Sequence, residues 1–421
     1  MELVVAVLTA WLVFVIAAMC LCTLRHLTFT CSRLLRRQRP SLGDAYDEEL
    51  PSVTVLMPMH NEAKVAAYAL EAVLANDYPA QRLEIIPIDD HSDDATPEIL
   101  ASYAARDARV RPIAVLNGGR RGKANALNAA LPHATSDIVL VFDADYTPGK
   151  GLIRRLAMPF ADPEVGAVMG RVVPRNTNRS LVTRLLSMER AGGYQVDQQA
   201  RYNMNLMPQY GGTVGGFRRR VLAEIGGFDP QGLAEDTELT VNLYERGWKI
   251  AYDNRAECYE EVPETWPARF KQLRRWSRGH NRVLFGHLLR VLFAGKLTVW
   301  QRADAAFLLF SYLIPPLIVS GWIAEFLLFA MGRMPAAGGL AIAVSVVLYN
   351  AFGNFAPAYE VAVAEMLDGH SARLRLLPLL LFAFPFNAWT ITTGFIDTIG
   401  DSVKSRATEW EKTARTGAGV R

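Results

Sequence analysis

The feature that most constrains this chain is an uncharged apolar run near its start, over residues 3–24. About 20 apolar residues in a helix span a bilayer. No basic segment precedes the run and no small-residue cleavage site follows it, so we expect a retained transmembrane helix rather than a signal peptide. Basic residues remain on the cytosolic side of a membrane, and five follow the run: Arg25, Arg33, Arg36, Arg37 and Arg39. We therefore predict a membrane anchor over residues 1–25 and a basic cytosolic linker over residues 26–50.

Composition indicates a soluble part joined to very apolar segments. Hydrophobic residues make up 51% of the 421 residues and charged residues 21%, which is apolar for a soluble protein. The net charge of +3 points to no strongly acidic or basic partner. The four cysteines have neither the spacing of a zinc site nor that of a disulfide framework, so a reducing compartment is the simplest interpretation.

Residues 51–262 alternate between strand-like and helix-like segments. The apolar runs of strand length are residues 53–57, 83–88, 110–116 and 138–142. The helix-compatible stretches between them are residues 63–75, 95–106 and 123–130. This alternation predicts an α/β domain with a mostly parallel sheet and helices on both faces. Such sheets bind ligands at the carboxyl ends of their strands.

Residues 263–300 interleave aromatic and aliphatic side chains with arginines, as in Trp266, Phe270 and Trp276 beside Arg269 and Arg275. A basic amphipathic helix with aromatic residues suits a membrane surface. A nucleic-acid-binding segment can have the same pattern. Because apolar segments lie on both sides, we predict interfacial helices that contact membrane lipids, and no nucleic-acid partner.

Three further apolar segments follow within residues 301–400, at about residues 305–331, 339–358 and 376–397. We predict that they are transmembrane and that residues 401–421 form a tail. Three crossings would place this tail outside, yet basic residues favour the cytosol, and the tail has Lys404, Arg406, Lys412, Arg415 and Arg421. Either one segment does not fully cross, or the tail is an exception to the rule.

Polar and acidic residues follow three of the predicted strands. In chain order, they are Asn61 and Glu62, then Asp89 and Asp90, then Asp143 and Asp145. Because the carboxyl ends of parallel strands meet at one edge of a sheet, we expect these side chains to form one site. A helix cap is the alternative for single residues, above all for Asp93.

The triplet Asp143-Ala144-Asp145 predicts a metal site. Two carboxylates just past a buried strand offer oxygens to Mg²⁺ or Mn²⁺, which keep positions open for substrate phosphates. The segment from Asn117 to Lys123 adds glycine amides and basic side chains that suit a phosphate, although Lys123 could also be a solvated helix start. This segment is not a P-loop, since Ala124 stands where that motif requires Ser or Thr. No G-x-G-x-x-G follows the first strand, which argues against a dinucleotide-dependent dehydrogenase.

Glu235 and Asp236 open a predicted helix after two glycine-rich loops. Carboxylates at a helix start can simply complement the helix dipole. If they face the same cavity as Asp143, Asp236 is the natural general base, with Glu235 beside it. An attacking acceptor hydroxyl must lose its proton, and a carboxylate within hydrogen-bond reach can take it.

Four motifs, in this order, resemble those of the family 2 glycosyltransferases. They are Asp90, Asp143-x-Asp145, Glu235-Asp236 and Gln272-Leu273-Arg274-Arg275-Trp276. The last resembles the Q-x-x-R-W signature of the membrane-embedded branch, which includes cellulose, chitin, hyaluronan and poly-N-acetylglucosamine synthases. The resemblance covers about residues 51–300, and the flanking apolar segments match it too.

The resemblance implies a GT-A fold, with a Rossmann-like and mostly parallel sheet, and a hexosyltransferase that uses a UDP-sugar. On the donor side, Asp89 and Asp90 would hold the uridine with Asn61 and Glu62 nearby, and Lys123 would contact the diphosphate. His60 stands where many relatives have an aromatic residue, so base stacking there is in doubt.

At the reacting centre, the resemblance implies that Asp143 and Asp145 hold Mg²⁺ or Mn²⁺, with Asp143 also contacting the donor, and that Asp236 is the base. On the acceptor and diphosphate side, the implied residues are Gln272, Arg275 and Trp276. An indole face suits stacking on a sugar, and a guanidinium suits a phosphate.

We therefore expect an integral protein of the inner or plasma membrane whose cytosolic domain elongates a β-linked polysaccharide, with inversion, and whose helices pass the glycan outward. One alternative is a single transfer to a membrane-lipid acceptor. An alternative of another class is a non-catalytic membrane export subunit that kept the fold. The sequence names neither the sugar nor the linkage.

Overall fold

The computed structural model describes residues 1–36, 38–39, 50–115, 121–230, 232, 234–333 and 355–404. Its strands form one eight-stranded mixed sheet. In chain order they are β1 (Val53–Met59), β2 (Leu83–Asp89), β3 (Ile113–Ala114), β4 (Ile138–Val141), β5 (Thr147–Pro148), β6 (Val165–Pro174), β7 (Gly215–Arg218) and β8 (Lys249–Glu260).

Helices cover the sheet and extend beyond it. In chain order they are α1 (Glu2–Leu35), α2 (Ala66–Leu74), α3 (Thr96–Arg106), α4 (Lys123–Ala130), α5 (Leu152–Ala157), α6 (Leu181–Ala191), α7 (Gln199–Asn203), α8 (Arg219–Ile225), α9 (Glu235–Glu245), α10 (Trp266–Leu292), α11 (Val299–Phe310), α12 (Ile314–Ala330), α13 (Phe355–Leu367) and α14 (Leu377–Lys404). A π-helical stretch, Gly192–Gln198, joins α6 to α7.

The sheet order is β3-β2-β1-β4-β7-β6-β8-β5. Strand β1 pairs in parallel with β2 and β4, whereas β7 lies antiparallel between β4 and β6. Val55 packs into the core on one face and its neighbour Leu56 into the core on the other, and both are fully buried. The sequence of a strand that is buried on both faces is a continuous apolar run. The predicted α/β class is confirmed.

The third predicted strand is shorter than residues 110–116. Only Ile113–Ala114 pair with β2, and Val110 adds an isolated bridge to Ile85. The last residue of the predicted strand, Leu116, lies outside the described residues.

Two of the described helices are long and apolar enough to cross a membrane, Glu2–Leu35 and Ser371–Asp401. The pair Val299–Phe310 and Ile314–Ala330, bent by 65°, is a third candidate if it counts as one span. Helix α1 therefore continues through the first part of the predicted linker. Outside the described residues lie the second part of the linker (40–49), most of the predicted segment 339–358 (up to 354) and most of the tail (405–421).

Helix α1 is tied to the sheet domain through the π-helical stretch. Arg25 Nη2 lies 2.7 Å from Asp197 Oδ2, and Arg33 Nε donates to the Gln195 carbonyl at 2.9 Å. Removing one partner of a buried ion pair leaves an uncompensated charge, which is strongly destabilising. The apolar anchor and the domain therefore form one packed unit at this point.

The basic helix α10 packs along the apolar helix α14. Arg274 pairs with Asp397 at 2.5 Å and Arg278 with Asp401 at 2.6 Å. These two arginines, which belong to the segment predicted to contact membrane lipids, have carboxylate partners within the protein. The amphipathic pattern here therefore serves helix packing as well as any surface role.

Gly394 lies where α14 crosses α10. A Cβ there would lie 2.7 Å from the Arg274 carbonyl oxygen and 2.7 Å from Ser277 Cβ. We expect Gly394→Ala to force the helices apart and to lower the stability by roughly 1–3 kcal/mol, measured as a lower melting temperature of the full-length protein in detergent.

Gly400→Ala is the matched control in the same helix, because nothing lies within 4 Å of its added Cβ. Replacing a glycine inside a helix by alanine stabilises it by roughly 0.5–1 kcal/mol. Equal melting temperatures for the two variants would contradict the packing described here.

Candidate active site

A cavity of about 1310 Å³ opens at the carboxyl ends of β1, β2 and β4. It brings together nearly all of the residues that the sequence predicted for the site. Those that line it are Asn61, Glu62, Asp90, Lys123, Asp143, Asp145, Glu235, Asp236, Gln272, Arg275 and Trp276.

The tips of β1 and β2 form a hydrogen-bonded rim at one end of the cavity. Asn61 Oδ1 accepts the Asp93 N–H at 2.9 Å, and the Asn61 N–H donates to Ser92 Oγ at 3.0 Å. Asn61 has a φ of 54°, in the left-handed region that asparagine tolerates better than most residues. His60 Nδ1 lies 2.7 Å from the Asp90 carbonyl oxygen. The backbone at this rim is therefore fixed by side chains.

Asp89 and Asp90 have different surroundings. Asp90 Oδ2 accepts the Gly122 N–H at 2.9 Å, on the cavity side. Asp89 does not line the cavity, and its Oδ1 accepts the Ser92 N–H at 3.1 Å. Asp90 directly follows the last residue of β2, and successive residues of an extended chain point to opposite faces; of these two residues, only Asp90 lines the cavity. Residues 116–120, which include most of the predicted phosphate-binding segment, lie outside the described residues.

Lys123 and Asp143 form an ion pair inside the cavity. Lys123 Nζ lies 2.5 Å from Asp143 Oδ1 and donates to the Gly212 carbonyl at 2.7 Å. The Asp143 N–H donates to Thr213 Oγ1 at 3.1 Å. The loop of residues 211–213 therefore fixes both charged groups.

The acidic residues of this region suit a divalent cation that is shared with a substrate. Asp143 and Asp145 both line the cavity, and the Lys123 ammonium already lies against one of these carboxylates. Among the described residues, no cluster of three or more His, Cys, Asp or Glu side chains could hold a metal alone. Mg²⁺ is commonly bound by one or two carboxylates plus substrate phosphates, and this arrangement fits the residues present.

Glu235 and Asp236 occupy the first turn of α9 and face the cavity. Burial raises the pKa of both carboxyl groups, and the charge of Asp236 raises the pKa of Glu235 further. The Thr237 N–H donates to Asp236 Oδ1 at 2.7 Å. A carboxylate whose pKa is raised holds a proton more strongly, which is the property that a general base requires.

Two guanidinium groups lie near the Trp276 ring. Arg190 is 5.2 Å and Arg269 is 5.7 Å from the ring centroid, distances at which cation–π attraction is effective. Arg269 Nη1 also donates to Gln272 Oε1 at 2.9 Å. Residues three and four apart share one face of a helix, so α10 presents Gln272, Arg275 and Trp276 together.

The sequence did not predict a buried network of hydrogen bonds and an ion pair at the end of β8. Glu260 accepts the Tyr146 hydroxyl at 2.7 Å and pairs with Arg190 at 2.7 Å, and all three residues line the cavity. Burial raises the pKa of Tyr146 well above its ordinary value, so this hydroxyl stays a donor. Neither Glu260 nor Arg190 had a clear sequence signal, since β8 mixes charged with apolar residues and Arg190 lies within a helix.

The cavity also reaches helix α1, which the sequence did not predict. Met19, Arg25 and His26 line it, and His26 Nδ1 lies 2.7 Å from Glu360 Oε2 of α13. The space therefore runs from the strand ends of the sheet to the apolar helices.

Comparisons with known proteins agree with this geometry. Residues 51–279 match the family model described as "Glycosyltransferase like family 2". A probable glycosyltransferase of Bacillus subtilis is 34% identical over 244 residues, which are 57% of this chain and 58% of that protein. Glucomannan 4-beta-mannosyltransferase 7 of Arabidopsis thaliana is 25% identical over 376 residues, which are 85% of this chain and 66% of that protein. This chain thus spans less than two thirds of either relative.

One solved structure resembles nearly the whole chain. It is a mannosyltransferase from Pyrobaculum calidifontis in complex with GDP-Man and Mn²⁺, with a TM-score of 0.59 and 26% identity. The match covers 86% of this chain and 97% of that one, so the likeness includes apolar helices as well as the sheet domain.

The raised pKa values of Glu235 and Asp236 make stability depend on pH. A carboxyl whose pKa is higher in the folded state binds its proton more tightly there, so stability falls as pH rises from the ordinary carboxyl pKa through the raised one. Asp236→Asn removes the free-energy cost of ionising the buried Asp236 carboxyl group. We expect it to melt roughly 2–4 °C above the parent at pH 7, as about 1 kcal/mol would produce, and the difference to shrink at acidic pH. Asp93→Asn, at an exposed position, is the control, and a lower melting temperature for Asp236→Asn at pH 7 would contradict the expectation.

Proposed function

This chain is an enzyme of glycosyltransferase-like family 2, and from that premise we propose that it transfers a hexose from a nucleotide-diphosphate sugar to a glycan hydroxyl with inversion. The observation that carries the proposal is that Asp143, Asp145 and Asp236 line one cavity together with Arg275 and Trp276. This set supplies a place for a diphosphate, a base and a sugar-stacking face.

In the proposed reaction, Asp236 accepts the proton of the acceptor hydroxyl as its oxygen attacks the anomeric carbon. The bond to the diphosphate breaks on the opposite side, so an α-linked donor gives a β-linked product. Lys123 and Arg275 are cations that suit the departing diphosphate. Asp143 and Asp145 would hold Mg²⁺ or Mn²⁺, which neutralises charge on the leaving group when bound.

The donor is the least constrained part of the proposal. The sequence motifs resemble those of enzymes that use UDP-sugars. Two relatives are instead described as a glucomannan mannosyltransferase and as a mannosyltransferase in complex with GDP-Man. These descriptions support GDP-mannose as the first donor to test, beside UDP-glucose and UDP-N-acetylglucosamine.

The acceptor side is proposed to face the membrane. Beyond Trp276, the cavity is lined by Met19 of α1, Ile318 of α12 and Phe384 of α14, all from apolar helices. The arginines at the end of α1 support a cytosolic catalytic domain. We propose that a growing β-linked polysaccharide occupies this path and is passed outward. A membrane-lipid acceptor could use the same path.

Donor and product are identified in one experiment. Detergent-purified full-length protein is incubated with Mn²⁺ or Mg²⁺ and radiolabelled GDP-mannose, UDP-glucose or UDP-N-acetylglucosamine, without added lipid, and the product is sized. A long polymer that requires the cation supports the hypothesis of polysaccharide synthesis and identifies the transferred sugar. A short, lipid-extractable product that appears only after lipid is added supports the glycolipid reading. No transfer from any donor, with or without lipid, would contradict the proposed activity.

The role of Asp236 is tested by Asp236→Asn, which keeps the shape of the side chain and removes its basicity. We expect transfer to fall by about 10²–10⁴-fold, while binding of the labelled nucleotide, measured by equilibrium dialysis, stays within a few fold. Glu238→Gln, two residues further along α9 and outside the cavity lining, is the control. Full transfer activity in Asp236→Asn would assign the base elsewhere and would favour a non-catalytic role for this acidic set.

A further inference from the structure

His280 has no role in the proposed reaction, although it lines the cavity one helical turn beyond Trp276. Its ring stacks face to face on Tyr312, with centroids 4.2 Å apart and planes at 10°. Its Nδ1 lies 3.1 Å from Thr237 Oγ1. Thr237 directly follows Asp236, so His280 is one side chain removed from the proposed base.

The Thr237 hydroxyl has two possible acceptors for its single proton. Gln209 Nε2 donates to Thr237 Oγ1 at 2.8 Å, so the hydroxyl already accepts one hydrogen bond. Its own proton can then go to His280 Nδ1 at 3.1 Å or to Asp236 Oδ1 at 3.4 Å. The choice between these acceptors changes the hydrogen bonding of the Asp236 carboxylate.

The surroundings favour His280 as the acceptor. Burial lowers the pKa of His280 to about 4, so the imidazole is neutral at physiological pH and can offer a lone pair on Nδ1 while its proton lies on Nε2. The stack on Tyr312 fixes the ring plane. The distance to Nδ1 is also the shorter of the two.

We propose that His280 is a positioning residue for Asp236, because it holds the Thr237 hydroxyl proton and so keeps this hydroxyl from donating to the carboxylate. An oxygen lone pair then remains available for the proton of the acceptor hydroxyl. The inference rests on the proposed function, in which Asp236 is the base. Through Tyr312, it also ties the base to the break between α11 and α12.

Two substitutions of His280 test its hydrogen-bond acceptor and its aromatic ring separately. His280→Phe keeps a ring that can stack on Tyr312 and removes the acceptor, whereas His280→Asn removes the ring and places an oxygen near the position of Nδ1. Steady-state transfer is measured for full-length protein in membranes with labelled GDP-mannose and UDP-glucose. We expect His280→Phe to lower kcat about tenfold, as loss of a hydrogen bond near a charge would, with the donor KM unchanged. His280→Asn should recover most of this loss.

A second substitution gives a result that simple structural damage would not. In His280→Phe, the freed Thr237 hydroxyl turns to Asp236, so removing that hydroxyl by Thr237→Val should restore the carboxylate. The double variant is therefore expected to have a higher kcat than His280→Phe alone. Equal activity of His280→Phe and the parent, or a double variant no better than His280→Phe, would overturn the inference.

The proposed function is tested separately in the same assay by Asp236→Asn. Loss of transfer in Asp236→Asn with no effect of His280→Phe removes only the role of His280, whereas an active Asp236→Asn removes the proposed base itself. If His280→Phe does not fold, as judged by its melting temperature in detergent, then His280→Leu with and without Thr237→Val decides. A higher kcat for the double variant than for His280→Leu supports the inference, since a Thr237 hydroxyl without an acceptor at position 280 turns to Asp236, and a kcat that is not higher overturns it.

Discussion

The candidate site depends on the short loop of residues 211–213, which bonds Lys123 and Asp143 and lies close to Asp236. The Gly212 carbonyl accepts from Lys123 Nζ, and Thr213 Oγ1 accepts the Asp143 N–H. Gly212 has a φ of +84°, and a Cβ there would lie 3.5 Å from Asp236 Oδ2. A side chain at this position would be strained by the positive φ and would lie in contact with the carboxylate. Glycine at 212 therefore allows the cation, the proposed metal ligand and the proposed base to approach one another.

The sheet holds this loop in its conformation. Val214, which follows the loop, has a φ of 55°, a costly conformation for a β-branched residue. Its N–H donates to the Val141 carbonyl at 3.1 Å, and its carbonyl accepts the Gly170 N–H at 2.8 Å. Strain of this kind persists where the surrounding structure over-determines the backbone, and such positions cluster at functional sites. Here the central strands of the sheet supply the restraint.

Sequence reasoning found the elements whose signals are local. The first, second and fourth strands are apolar because both faces of the sheet are covered, and their polar tips identify the edge that binds. The sequence of strand β7, Gly215–Arg218, is not an apolar run, because it begins with two glycines. A Cβ on Gly216 would lie 2.2 Å from Leu140 Cδ2, so glycine is required by a neighbour distant in the chain, and the segment resembles a loop. The different orientations of Asp89 and Asp90 could have been predicted from the sequence, because adjacent residues of an extended chain point to opposite faces. The position of Arg190 in the site could not have been predicted, since only the folded chain brings this residue to Trp276 and Glu260.

The cavity is built from two parts that are supported separately. The sheet and its loop fix Lys123, Asp143 and Asp236, whereas α10, which bears Trp276 and His280, packs on α14 through Arg274–Asp397 and the close approach at Gly394. The parts meet where α9 contacts α10, at Thr237–His280 and, further along, at Glu245–Arg290, 3.2 Å apart. A displacement of α14 relative to the sheet would therefore move the Trp276 ring and the proposed acceptor of the Thr237 proton together, while the charged groups on the loop stay in place. In this architecture the alignment of the proposed base and acceptor depends on helix packing, and the proposed diphosphate site depends on both parts, because the loop bonds Lys123 and α10 bears Arg275.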